Sequence, residues 1–216
     1  MRKPLPTVVS RPRRWQAGWA LSWTFGVTMT AIASAWVVAL PAVATPSNVA
    51  SPDAATGLAP VPAEVLAALP SARLLGRSTL RFFGLAIYEA RLWVPPGFAP
   101  ARYEAQPFAL ELHYARKLDG AAIAERSLTE MRRVGEFSLA QATAWLEQLK
   151  QAIPDVNPGD RLTGVSGAAG VTHFYSNGRL TSSIADPEFS RLFFGIWLSV
   201  NTSEPTLRRA LIGQKS

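Results

Sequence analysis

The chain ends in a run that leaves few folds open to it, Asp186 to Gly213, DPEFSRLFFGIWLSVNTSEPTLRRALIG. Asp186 is placed to cap a helix, with Pro187 in the first turn, where a missing N–H costs nothing. Glu188 then sits at the positive end of the helix dipole. Phe189, Leu192, Phe193, Ile196, Trp197 and Val200 follow at helical spacing and predict one broad apolar face. A second short helix is expected from Ser203 or Glu204, with Pro205 in its first turn, Leu207 and Leu211 inside, and Gly213 as its stop. Helices this apolar must lie on a surface that is apolar too. The rest of the sequence has to supply it.

The first 44 residues read as a targeting segment rather than as fold. Arg2, Lys3, Arg11, Arg13 and Arg14 precede an uncharged, mostly apolar stretch from Ala17 to Leu40, and Ala42-Val43-Ala44 is a small-x-small cleavage site. That order predicts a secretory signal, with Thr45 as the mature N-terminus and a periplasmic or otherwise exported location. Left uncleaved, the same stretch is long enough to anchor the chain in a membrane. Five of the 22 basic residues and none of the 15 acidic ones fall in this segment, leaving 17 against 15 beyond it. The formal charge of +7 is therefore mostly a property of the signal, and nucleic acid is not an expected partner. There is no cysteine, so no disulfide supports the exported domain. Residues 45–64 are rich in Pro, Ala and small polar side chains, without hydrophobic period, and predict a disordered linker. The folded domain is expected over 65–216.

Within it, Ala72 to Phe83 and Leu85 to Pro95 predict two strands around Gly84, and Phe108 to Tyr114 (FALELHY) alternates as a third. Asp119 caps a helix to about Arg133, with Ala124, Leu128 and Met131 inside. Ser138 and Gln141 form a capping box for the next, in which Ala142, Leu146, Leu149 and Ile153 recur. Strands return at Arg161 to Val165, Val171 to Ser176 and Arg179 to Ile184, the last two joined by Asn177-Gly178, a type I′ hairpin signal. Strict alternation across that hairpin puts Val171, His173, Tyr175, Leu180, Ser182 and Ile184 on one face. Strands, helices, strands and helices without βαβ alternation predict an α+β domain, an antiparallel sheet with helices on one face.

Three segments together, LRFFGLAIYEARLW (Leu80 to Trp93), YARKLDGAAIAERSLTEMRRVG (Tyr114 to Gly135) and FYSNGRLTSSIADPEFSRLFFGIWL (Phe174 to Leu198), resemble the bacterial chalcone isomerase-like proteins. The resemblance implies an open-faced β-sandwich of the chalcone isomerase type, with a ligand cleft between the sheet and its helical layer. Plant enzymes of that fold use an Arg, a Thr, a Tyr and an Asn around a positioned water. Aligned through Gly84-Leu85-Ala86-Ile87-Tyr88, the Thr position falls on Phe83, the Tyr position near Ile123 and the Asn position near Glu130. The Arg is Arg73, Arg77 or Arg81. Loss of the water-positioning groups argues against that isomerisation, and the catalytic residues of any other reaction stay unassigned.

What the replacements leave is an apolar cleft with a basic residue, suited to a small apolar or amphipathic ligand such as a fatty acid or a phenol. Arg77, Arg81, Tyr88 and Tyr114 are the candidate ligand-binding residues. Arg81 either faces the helices as a buried cation or points to solvent. Two further readings stand beside ligand binding: an intramolecular lyase or isomerase of another substrate, and a periplasmic structural or partner-binding module. His113 and His173 lack metal-ligand spacing, and no nucleotide fingerprint or serine-hydrolase elbow is present, so neither a metal nor a cofactor is expected.

Overall fold

In a computed structural model the described residues are 60–214, so the predicted signal segment and nearly all of the predicted linker lie outside them. Six strands form one sheet in sequence order: β1 (Arg73–Phe82), β2 (Leu85–Val94), β3 (Phe108–Tyr114), β4 (Arg161–Ser166), β5 (Val171–Ser176) and β6 (Arg179–Ala185). Every neighbouring pair is antiparallel. Between the adjacent strands β3 and β4 the chain leaves the sheet to form α2 (Gly120–Val134) and α3 (Leu139–Ala152), and then returns. Asp119 caps α2 through the Ala122 N–H, and Ser138 with Gln141 closes the capping box of α3. The fold is thus α+β, an open antiparallel sheet with helices over one face, as the pattern of elements requires.

The C-terminal run spans that face. α4 (Pro187–Leu198) starts where the Asp186 carboxylate accepts from the Glu188 and Phe189 N–H groups. Its other oxygen accepts from Trp145 Nε1 on α3 at 2.9 Å. At its far end Trp197 reaches β2. α5 (Pro205–Leu211) then lies over β1 so closely that a Cβ on Gly76 would meet the Ala210 carbonyl oxygen at 2.2 Å. Only glycine permits that approach. Phe174, Phe189, Phe193, Phe194, Phe108 and Trp197 fill the space between the layers, mostly in edge-to-face contacts near 5 to 6 Å.

Three expectations are corrected. α4 ends at Leu198, because Ser199 is extended at ψ 151°, and Val200 is left 78% exposed instead of completing the apolar face. In the β5–β6 hairpin a bulge at Thr181 breaks strict alternation. Phe174 pairs with Ser182 but Tyr175 with Leu180, so Ser182 and Ile184 face the helices while Val171, His173, Tyr175 and Leu180 take the other face. The Thr181 hydroxyl donates to the carbonyl of Ala152 and fixes the bulge to α3. Finally, Ala63 and Glu64, inside the stretch read as linker, open the short helix α1 (Ala63–Ala68). It packs Val65 and Leu69 on Trp93, Ala109 and Val165, on the sheet face away from the other helices.

Candidate functional site

Register brings two of the four candidate residues together. Tyr88 on β2 and Tyr114 on β3 are direct cross-strand partners on the helical face, with ring centroids 5.8 Å apart. The Tyr88 hydroxyl accepts from Trp197 Nε1 at 3.0 Å, which ties the end of α4 to the sheet. Burial pushes the Tyr88 hydroxyl well above the usual phenol range. The Trp197 bond opposes that shift, and the Glu204 and Glu130 carboxylates add to it. Burial raises Tyr114 too, and Tyr88 adds to the shift; among the described residues no hydrogen bond reaches its hydroxyl. Both phenols stay protonated at any physiological pH. They can donate hydrogen bonds to a carboxylate or carbonyl oxygen, but neither can act as a base.

The two arginines lie elsewhere. Arg77 pairs with Arg91 on the opposite face of the sheet from the tyrosines, and it is exposed. Arg81 follows a bulge after Leu80, at the tip of the β1–β2 hairpin. It is exposed there, and its guanidinium donates to the Gly84 carbonyl at 3.2 Å. Neither supplies a buried cation beside Tyr88 and Tyr114. The extra residue of the bulge is Ile87 on β2, so alternation along β1 holds and turns Arg81 away from the face of Leu80.

Charge reaches the tyrosines from α2 instead. Glu130 is buried, with Arg126 one turn earlier against its carboxylate and Arg133 Nε at 3.3 Å. Glu204, at the start of α5, has a raised pKa, chiefly from desolvation and then from the Glu130 carboxylate, with Arg126 opposing. Trp197, Glu130, Arg126 and Glu204 therefore act on Tyr88. Their joint position depends on how α2, α4 and α5 pack. The sequence signal available was the acid at position 130, on the inner side of an amphipathic helix. A separate shallow groove of about 390 Å³, between α3, the end of β6 and Asp186, contains none of these residues. Among the described residues no group of three His, Asp or Glu side chains is placed to hold a metal ion.

The sequence from residue 69 to 213 matches the chalcone isomerase-like family. The chain belongs to that family. No curated protein matches it in sequence. Among solved structures, a fatty-acid-binding protein of Arabidopsis thaliana superposes with a TM-score of 0.53 at 11% identity, over 66% of this chain and 87% of that one. At that identity the likeness establishes the fold, an open-faced sandwich of the chalcone isomerase type.

In this chalcone isomerase-like domain the three aligned positions have separate fates. Phe83 stands in the β1–β2 turn, 85% exposed. Ile123 packs against the apolar core from α2. Glu130 carries a charge where the aligned position holds an amide, and its neighbours Arg126 and Arg133 engage it.

Proposed function

We propose that this domain binds one small amphipathic molecule, a fatty acid or a phenol, with its polar end at Tyr88 and Tyr114 and its apolar part between the sheet and the helices, where it displaces some of the rings packed there. The pairing of Tyr114 with Tyr88 carries the reading: two phenols lie side by side on the helical face, and among the described residues no hydrogen bond reaches the Tyr114 hydroxyl. A phenol hydroxyl without a partner in the protein can donate to a ligand oxygen. Family membership and the fatty-acid-binding function of the Arabidopsis neighbour support the choice of ligand by analogy. The reading is non-catalytic, because the aligned positions are Phe83, Ile123 and Glu130 in place of the water-positioning groups. It also takes the N-terminal segment as a secretion signal, which places the domain in the periplasm or outside the cell. Loss of residues 1–44 from the purified protein, seen by intact mass, checks that part.

Palmitate and a hydroxychalcone, titrated by calorimetry and by native mass spectrometry, test the binding. Tyr114→Phe should weaken the bound acid about tenfold while leaving Tm unchanged, since the hydroxyl makes no hydrogen bond among the described residues. Absence of binding to either probe overturns the proposal. The aromatic filling between sheet and helices favours one second reading, a partner-binding module that works through its outer surface. A stoichiometric protein partner, together with an empty interior by native mass spectrometry, would establish that instead.

A further inference from the structure

Among the described residues the buried charged side chains are Glu64, Glu111 and Glu130, all carboxylates, and no arginine or lysine is buried. Glu64 and Glu111 lie on the face away from the main helical layer, where Arg161 stands against both. Glu130 belongs to α2, in the helical layer. Its side chain is 7% exposed, whereas those of its partners Arg126 and Arg133 are 50% and 56% exposed. α2 therefore turns its acid inward and leaves its cations half in water, where their charge is screened.

The half-buried arginines do not change this. Arg91 and Arg161 point to the other face of the sheet. Arg191 faces Glu104 and Glu188, and Arg208 Nε donates to the Leu198 carbonyl at 2.7 Å. Arg116 follows β3 by two residues, yet neither it nor Arg208 is among the charges acting on the tyrosine hydroxyls. Glu204 and Glu130 each act on Tyr88 more strongly than the opposing Arg126. What the pair does offer is neutral donors. The Tyr88 hydroxyl accepts from Trp197 Nε1 and keeps its own proton to donate, and Tyr114 adds a second. A carboxylate brought there would be buried beside acids with no buried cation to offset it, at the cost that ordinarily makes such a group take up a proton. Given the ligand site proposed at Tyr88 and Tyr114, we infer that the polar end it accepts is uncharged: an alcohol, phenol or carbonyl oxygen, or a carboxylic acid that enters with its proton.

Decan-1-ol and decanoic acid, matched in chain length, test this on the purified protein by calorimetry and native mass spectrometry. At a pH of about 7.5 the alcohol should bind at least about tenfold more tightly than the acid. Between a pH of about 7.5 and about 5.5 the acid should tighten about tenfold per unit, as its protonated fraction grows, while the alcohol stays level. The charged groups around the pair are Glu130, Arg126 and Arg133 on α2, Glu204 and Arg208 at α5, and Arg116 after β3. Desolvation, and then Glu130, hold the Glu204 carboxyl above its ordinary range, so Glu204→Gln separates that titration from the ligand's and should keep the slope. Glu130→Gln should narrow the alcohol's advantage about tenfold at the higher pH. Decanoate as tight as the alcohol at the higher pH, an acid affinity that does not change with pH, the same slope for both ligands, or a slope that disappears in Glu204→Gln would overturn the inference and leave the ligand site standing. Failure of both ligands to bind at either pH would remove the site itself, and the inference with it.

Discussion

The two faces of the sheet are held by different physics. On the helical face Leu92, Leu110, Phe174 and Ile184 meet Phe189, Phe193, Phe194 and Leu198, and the contacts are apolar and mostly aromatic. On the other face the apolar patch is small, and α1 is pinned by charge. Glu64, buried, accepts from Arg161 Nη2 at 2.9 Å and from the Thr163 hydroxyl at 3.0 Å. Glu111, also buried, accepts from Trp93 Nε1 at 2.7 Å and meets His113 Nε2 at 2.8 Å. Arg161 Nε stands 3.5 Å from Glu111, so one guanidinium serves both carboxylates. An apolar layer tolerates exchange of similar shapes, because its energy is spread over many contacts. A buried charge cluster does not, because each member is uncompensated once its partner is removed.

The largest effect expected from that contrast is Arg161→Met, which strands Glu64 and Glu111 together and should cost about 3–5 kcal/mol in urea unfolding. Pairing it with Glu64→Leu should recover much of the loss, and no recovery would show that α1 is held by something other than the ion pair. Next, Phe194→Leu on the helical face should cost about 1 kcal/mol, since shape is nearly kept. A loss equal to that of Arg161→Met would erase the distinction between the faces. Tyr88→Phe should cost about 1–2 kcal/mol by leaving the Trp197 N–H without its acceptor, whereas the Tyr114→Phe protein keeps its stability. The smallest effect is at Glu204. Its folded pKa is raised, so its ionised form weakens the fold. That penalty is absent below the unfolded carboxylate pKa and develops as pH rises through the folded value. Glu204→Gln should therefore raise Tm slightly at pH 7 and leave it unchanged near pH 3. A gain at both pH values would assign the effect to packing rather than to charge.

Most of the helical face could be read along the chain. The α4 stripe as far as Trp197, the Ser138 capping box, the FALELHY alternation and the Asn177-Gly178 turn each depend on residues within a few positions of one another, and each formed as its spacing demands. The open face could not be read in this way. Glu64 and Arg161 are 97 residues apart, and a carboxylate in a proline- and alanine-rich stretch looks solvated until the sheet places a guanidinium over it. Thr181 shows a second limit, since one bulged residue reverses the face assigned to everything beyond it.

The candidate site divides along the same line. That Tyr88 and Tyr114 share a face follows from alternation and from two strands being neighbours, so the sequence sufficed to nominate them. That Trp197 ties down the Tyr88 hydroxyl while the Tyr114 hydroxyl has no partner among the described residues, and that Glu130, Arg126 and Glu204 supply the charge near Tyr88, depended on how α2, α4 and α5 settle on the sheet. Local periodicity determined which elements form and which side of each is apolar, because those preferences act over one or two turns of helix or a few residues of strand. Only the tertiary structure decided where each charge ended up, because the cost of burying a carboxylate is set by partners that the chain brings from far away.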